Sequence, residues 1–352
     1  MEFSAYVHVG PQRYRERPGL AFEELQAGQR FQHRPGLTLS QQDNTDEALD
    51  TLNHAQLHYD ARYAARTEWG RPLLVSTLTL QCLVGMTGKT FGRRARIIGF
   101  DEIALTGPVF GGDTLYAESE VLAVEDDPEH PDLGLVVAAL RGVSQAADVV
   151  ARMTARMLLY RDGADPEERE LGHPLPRARA QRFASHRARP DGALVEQVGL
   201  FFEDLEPGET FEHRPGKTFF PQEAVTHALR TLEWQPRHVD QHYADTYLDG
   251  RIAVTEAYVV GAVTALTTRT FGRVVANLGW IGVHLGAPVY LGDTVYAEST
   301  VEGARPSASR PDQGILEVRT HAHNQRGELV ASFGRRLLVY RRGAGPHANA
   351  GY

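Results

Sequence analysis

The feature that most constrains this chain is that it repeats itself at a spacing of 180 residues, almost without gaps. Gly19-Leu20 and Phe22-Glu23 return as Gly199-Leu200 and Phe202-Glu203, His33-Arg34-Pro35-Gly36 returns as His213-Arg214-Pro215-Gly216, and His58 becomes His238. Further on, Thr90-Phe91-Gly92-Arg93 matches Thr270-Phe271-Gly272-Arg273, and Gly112-Asp113-Thr114 matches Gly292-Asp293-Thr294. Two copies of so long a unit are too few for a solenoid. The expectation is two homologous domains packed like the subunits of a dimer. A length of 352 residues, at about 150 per domain, gives the same count.

The first repeat is read as 1–161 and the second as 198–342. Between them, 162–197 is rich in Arg, Pro, Glu and Ala with little apolar periodicity, which marks a linker. The Gly-, Ala- and Asn-rich end, 343–352, reads as a tail. Within each copy the coarse order is a strand (31–39 and 211–219), a helix (42–52 and 223–232), short helices capped by Asp60 and Asp240, and then a proline-free apolar helix over 76–90 and 256–270. Alternating or β-branched runs near 96–106, 113–124, 134–146 and 149–160 follow, with counterparts in the second copy. One long helix followed by antiparallel strands predicts an α+β class for each repeat.

Charge narrows the function. A formal net charge of -8 argues against a nucleic-acid binder, which needs clustered Lys and Arg to neutralise phosphates. The first residues lack the apolar core of a secretory signal, and no stretch reaches the ~18 uncharged apolar residues of a membrane helix. The one cysteine, Cys82, lies in a Leu/Val-rich stretch and reads as a buried inert thiol; a lone thiol fits a cytoplasmic protein. His321-x-His323 has no third ligand at clear metal spacing, so no metal site is expected. There is no Walker-type loop and no Gly-x-Ser-x-Gly elbow, and Trp69, Trp234 and Trp280 read as packing residues.

The run Asn53-His54-Ala55-Gln56-Leu57-His58, the apolar helix after it, and Pro-Val-x-x-Gly-Asp-Thr opening a strand resemble the MaoC-like hot-dog hydratase/dehydratase family. The second copy is the better match. The family motif reads Asp-x-Asn-Pro-x-His, and Glu233-Trp234-Gln235-Pro236-Arg237-His238 fits it with the acidic and amide residues one methylene longer. The double-length arrangement, Asp43-Asn44, and Ser309-Arg310-Pro311-Asp312-x-Gly314 are similar to the mesaconyl-CoA hydratase (β-methylmalyl-CoA dehydratase) branch.

The resemblance implies a double hot-dog, in which each long helix is wrapped by a curled antiparallel sheet and the sheets join into one surface. It implies an acyl-CoA thioester entering between the repeats, and no cofactor other than the coenzyme A of the substrate. The implied partner is therefore the acyl-CoA substrate, with no nucleic acid and no membrane; a homo-oligomer is left open. The implied reaction is hydro-lyase chemistry at an enoyl-CoA double bond, with mesaconyl-CoA/β-methylmalyl-CoA as the candidate pair. Thioester hydrolysis on the same fold, and acyl-CoA binding without catalysis, are the alternatives.

Adding water to an enoyl thioester needs a base for the water, a donor for the α-carbon and a partner for the enolate oxygen. Glu233 and His238 are the candidate acid and base, with backbone N–H groups near 255–257 for the oxygen. In the first copy Asn53 replaces the acid and cannot exchange a proton near neutral pH, leaving His58, with Asp43 as the carboxylate to consider. On that reading the first half shapes the acyl pocket; the reverse assignment makes Asn53, His58 and Asp43 the working site. Where the family has His-Gly at the start of the long helix, this chain has Val75-Ser76 and Thr255-Glu256; Ser76 eases approach of a thioester, whereas Glu256 is expected to repel an anionic acyl group. Arg93, Arg94, Arg96 and Arg273 follow the long helices and are candidates for coenzyme A phosphates, or for the helix C-terminal dipole.

Overall fold

The computed structural model describes residues 3–178 and 181–347; of the expected tail, 348–352 lie outside the described residues. The first 160 residues contribute β1 Tyr6–Gly10, β2 Arg13–Glu16, β3 Arg30–Thr38, β4 Arg94–Leu105, β5 Thr114–Asp126, β6 Leu133–Ser144 and β7 Val149–Tyr160. The remainder supplies β8 His186–Ala188, β9 Leu194–Glu196, β10 Thr210–Thr218, β11 Val274–Leu285, β12 Thr294–Pro306, β13 Gln313–Asn324 and β14 Leu329–Tyr340. They form two seven-stranded sheets, ordered β4-β7-β6-β5-β3-β9-β8 and β1-β2-β10-β12-β13-β14-β11.

One long helix lies against each sheet, Ser76–Met86 in the first half and Glu256–Leu266 in the second. Each is a proline-free apolar run whose buried positions, Thr79 and Leu83 or Val259 and Val263, recur every four residues and face the sheet. Approach is close because the sheet presents small residues there: a Cβ on Gly142 of β6 would lie 2.7 Å from a Leu83 methyl. Strand β6 alternates buried and partly buried side chains, as a sheet with one covered face should. The fold is therefore α+β, a helix cradled by a curled antiparallel sheet and built twice: a double hot-dog. The two sheets are not hydrogen-bonded into one surface, in contrast to the expectation from the resemblance.

The segment 162–197 is more than a tether. It holds the helix Pro166–Leu171 and the hairpin β8-β9. That hairpin is the repeat of β1-β2: Tyr6 answers His186 and Glu16 answers Glu196 at the common spacing. Each hairpin adds to the other repeat's sheet. Strand β2 runs parallel to β10 through Tyr14 and Phe211, and β9 runs parallel to β3 through Phe31 and Leu194. The repeats thus exchange their opening hairpins reciprocally.

Two buried polar clusters fasten the exchange. Glu196, fully buried, meets His33 Nδ1 at 2.9 Å, accepts from the Thr90 hydroxyl at 2.7 Å, and accepts the Arg34 N–H at 2.9 Å; His33 Nε2 pairs with the Ser119 hydroxyl. In the other half Glu16 meets His213 Nδ1 at 3.0 Å, the Thr270 hydroxyl at 2.6 Å and the Arg214 N–H at 3.0 Å, and His213 Nε2 pairs with Ser299. Such groups persist in a core because every polar atom finds a partner. The crossing of β2 is reinforced by Arg13 and Arg15, whose Nε atoms grip the two oxygens of Glu212 at 2.7 and 2.6 Å.

His186 gives this architecture a pH dependence. Burial pulls its pKa down to about 4, against some opposition from Glu196, and the neutral ring bonds Thr90 and Ser185. Its ordinary value is 6.5, so between about pH 6.5 and pH 4 the unfolded chain binds more protons than the folded one. Stability is then full above pH 6.5 and falls as pH drops toward 4, by about 3 kcal/mol from this group alone. Depression of the Glu196 pKa by His33 and its hydrogen bonds adds a loss of the same sign at still lower pH. The melting temperature should fall steeply between pH 6.5 and 4, and His186→Tyr, matching Tyr6 of the other repeat, should flatten that slope. An unchanged slope would remove His186 as the cause.

Candidate functional site

In each half the helix before the histidine motif, Gln41–Asp50 or Pro221–Arg230, ends on a leucine in the left-handed region: Leu52 at φ 56° and Leu232 at φ 63°. That turn redirects the chain into a single helical turn, Gln56–His58 or Pro236–Val239; proline suits the first position of the latter because that N–H would lack an intrahelical partner. The histidine lands beside the segment leading into the long helix. His58 Nδ1 lies 2.8 Å from the Leu73 carbonyl oxygen and His238 Nδ1 lies 2.8 Å from that of Ala253. A carbonyl only accepts, so Nδ1 holds the hydrogen and Nε2 of the neutral ring is left as the acceptor.

The halves differ in what faces that nitrogen. In the second half the buried His238 presents Nε2 to Glu256 Oε2 at 3.7 Å, and Arg237 approaches the other carboxylate oxygen at 3.4 Å. A separation of 3.7 Å is too long for a direct hydrogen bond, and a water seated beside the pair can reach both groups. Glu256 opens the long helix. Its N-cap Thr255 makes no side-chain capping bond, so the N–H groups of Glu256 and Ala257 have no acceptor among the described residues and point from the positive end of the helix. Beside them is a cavity of about 280 Å³ walled by Val254, Glu256, Leu285, Pro288 and Val289.

The first half has a cavity of about 330 Å³ at the equivalent place, with Ser76 where Glu256 stands. Among the described residues no carboxylate pairs with His58. Asn53 is consumed locally, its Oδ1 accepting the Ala55 N–H at 3.0 Å. Asp43 caps its own helix through Ser40, whose hydrogen bonds hold the carboxyl below its ordinary pKa; it is not a partner of His58.

The structure does not bring Glu233 to His238: its side chain forms no hydrogen bond or ion pair among the described residues. The carboxylate at the histidine is Glu256. The sequence held the signal, since Glu256 occupies the family's own His-Gly position, but its charge read as repulsion of the substrate. The arginines that follow the long helices differ in exposure, and Arg96 is exposed. Arg93 is buried against Glu168 at 2.8 Å. Arg273 is buried over the Phe201 ring at 3.7 Å, its pKa drawn down to about 10 by burial. Arg94 is half-buried and donates to the Thr87 hydroxyl at 3.1 Å. The cavity between the two halves, bordered by Lys89 and Arg269, measures about 70 Å³, too small to receive a thioester. The two cavities beside His58 and His238 each lie within one repeat, whereas the roomiest, about 470 Å³, is lined by first-repeat residues such as Phe31 and Met153 together with Asp191 and Ala193 of the β8-β9 hairpin. Cys82 is half-buried with its thiol pKa raised by burial, in keeping with an inert thiol. No metal-holding group of His, Cys, Asp and Glu occurs among the described residues, and no helix there is long and apolar enough to cross a membrane.

A duplicated helix-in-sheet body, with an imidazole facing a carboxylate at the N-terminus of the second long helix, defines a hot-dog protein. Comparison with known proteins agrees in both halves: residues 9–171 match the mesaconyl-CoA hydratase family model and residues 203–322 match the MaoC like domain. Each half is thus similar to the MaoC-like hydratases and dehydratases, and the chain has their double hot-dog form. It is 25% identical over 337 residues to the mesaconyl-CoA hydratase of Haloarcula marismortui, covering 92% of this chain and 91% of that one. It is 34% identical over 151 residues to that of Cereibacter sphaeroides, 42% of this chain and 43% of that one, and 24% identical over 330 residues to the beta-methylmalyl-CoA dehydratase of Chloroflexus aurantiacus, 88% and 89% of the two chains. A Mycobacterium tuberculosis protein solved as a double hotdog aligns over 92% of this chain and 99% of that one, at 20% identity and a TM-score of 0.40.

Proposed function

We propose that the chain is an acyl-CoA hydro-lyase, adding water to or removing it from the double bond of a short dicarboxylic enoyl-CoA of the mesaconyl/β-methylmalyl type, and that the second half performs the reaction. The observation that carries this reading is His238 Nε2 facing Glu256 Oε2 at 3.7 Å, beside helix N–H groups without acceptors among the described residues and a cavity with mainly apolar walls. The names of the relatives support the reaction class and the substrate type.

In the hydration direction, His238 Nε2 accepts one hydrogen of the water and orients it, while Glu256 takes the other hydrogen as the oxygen bonds to the β-carbon. The electron pair of the double bond moves through the α-carbon onto the thioester oxygen, where the N–H groups of Glu256 and Ala257 hold the enolate. The proton on Glu256 then passes to the α-carbon, so that one water is added and both side chains return to their starting state. Nothing is oxidised or reduced, and no redox group is called for. Arg237 beside Glu256 is placed to attract the free carboxylate of a dicarboxylic acyl group.

The test is the absorbance of the conjugated enoyl thioester with mesaconyl-CoA and crotonyl-CoA as substrates. Loss of absorbance without release of free thiol is the expected result, faster with mesaconyl-CoA. Stoichiometric thiol release would establish a thioesterase, and no change with either substrate would overturn the hydro-lyase reading.

A further inference from the structure

The two cavities are the same place in the two repeats: Pro108, Val109 and Val150 wall the first, and Pro288, Val289 and Val330 wall the second at the common spacing. Where they differ, they differ in chemistry. Charged Arg237 and Glu256 line the second, whereas Ser76, Thr79 and Trp69 line the first. The first therefore offers hydroxyl groups and an aromatic ring, and no ionised side chain.

Thr79 carries the argument. It is 3% exposed, lines the cavity, and its hydroxyl finds no hydrogen bond among the described residues. The second repeat has Val259 there, a side chain of the same shape with a methyl in place of the hydroxyl. A hydroxyl that no protein group bonds can donate to a guest in the cavity, which the methyl of Val259 in the second repeat cannot do. Ser76 opens the long helix below it, and Val75, which has no polar side chain, cannot cap that helix; the N–H groups of Ser76 and Thr77 are left without acceptors among the described residues. Ser76 and Thr79 line a pocket whose other walls are mainly apolar. The group that fits is a carbonyl oxygen attached to a short, uncharged aliphatic chain.

We propose that the first-half cavity is a second binding site, for an uncharged short-chain acyl thioester, which it holds through Thr79 and Ser76 and does not hydrate. His58 has no carboxylate to share a water with, because Ser76 replaces Glu256, so binding there leads to no proton transfer. The non-hydrating character rests on the assignment of hydration to the second half.

Butyryl-CoA is the probe, since a saturated acyl group cannot be hydrated. Calorimetric titration should give two sites per chain. Thr79→Val, which copies the second repeat and should not lower the melting temperature, should weaken one site about 3- to 10-fold and leave the other, the loss expected for one neutral hydrogen bond. Ser76→Trp should remove one site. Glu256→Gln should retain both sites while stopping hydration. One site or none in the unaltered chain, Thr79→Val with two unchanged sites, or Thr79→Val that abolishes hydration would each overturn the proposal. Two sites in a chain that hydrates neither mesaconyl-CoA nor crotonyl-CoA would overturn the hydro-lyase reading and leave the second site standing.

Discussion

His238→Ala should lower kcat for hydration by about 10²- to 10⁴-fold, the range for losing a positioned acid or base, and Glu256→Gln should do the same. The first removes the imidazole whose Nε2 faces Glu256; the second keeps the shape of the side chain at the head of the long helix and removes only its ability to take a proton. Because the two act on one water, the double variant should be little worse than either single one. The base is decided by comparing Glu256→Gln with Glu233→Gln at saturating substrate, each checked by thermal melting. The larger loss is expected for Glu256. A larger loss for Glu233 would move the base back to the motif residue, and a large loss in His58→Ala with near-normal His238→Ala would move the reaction to the first half.

Glu196→Ala and Glu16→Ala should each destabilise the whole chain by about 3–5 kcal/mol, the cost of removing one partner from a buried hydrogen-bonded charged group. Each carboxylate enters from one repeat and is bonded inside the other, to His33, Thr90 and the Arg34 N–H or to His213, Thr270 and the Arg214 N–H. Urea unfolding followed by far-ultraviolet circular dichroism should show one transition at a lower midpoint in both variants. Two separated transitions would mean that the halves melt independently and that the exchanged hairpins do not couple them. A shift under about 1 kcal/mol would mean that the clusters contribute little.

The duplication, the long helices and the antiparallel order were legible because they depend on local pattern: a proline-free apolar run for Ser76–Met86 and alternation for β6. The ownership of the first hairpin was not. Tyr6–Glu16 and His186–Glu196 are short and rich in charge, and the charged side chains are bonded across to the other half, so their partners lie far away in sequence and leave no periodic trace nearby. The repeat nevertheless reaches them, for Glu16 and Glu196 stand at the common spacing, and extending the alignment upstream of Gly19 and Gly199 would have found the hairpin inside 162–197. The site was half legible. The histidines lie on a motif, but the carboxylate that meets His238 comes from 18 residues further on, by a turn through Leu232 that only the folded chain makes. Of the arginines after the long helices, Arg93 and Arg273 are buried while Arg96 is exposed, because a guanidinium stem can be buried whenever a carboxylate or carbonyl is at hand, as Glu168 is for Arg93 and Gly199 for Arg273.

The exchanged hairpins also set a timetable for synthesis. Glu16 leaves the ribosome long before its partner His213, 197 residues later in the chain, and at roughly 5–20 residues per second that interval is about 10–40 s. During it the first hairpin has no sheet to join, and the first sheet stays without its final two strands until Glu196 emerges. The nascent protein must therefore hold a nearly complete first repeat with an exposed strand at β3, and the free arm of a neighbouring nascent chain is a ready substitute for its own. Crowded polysomes should favour that mispairing, and slow, dilute expression should suppress it.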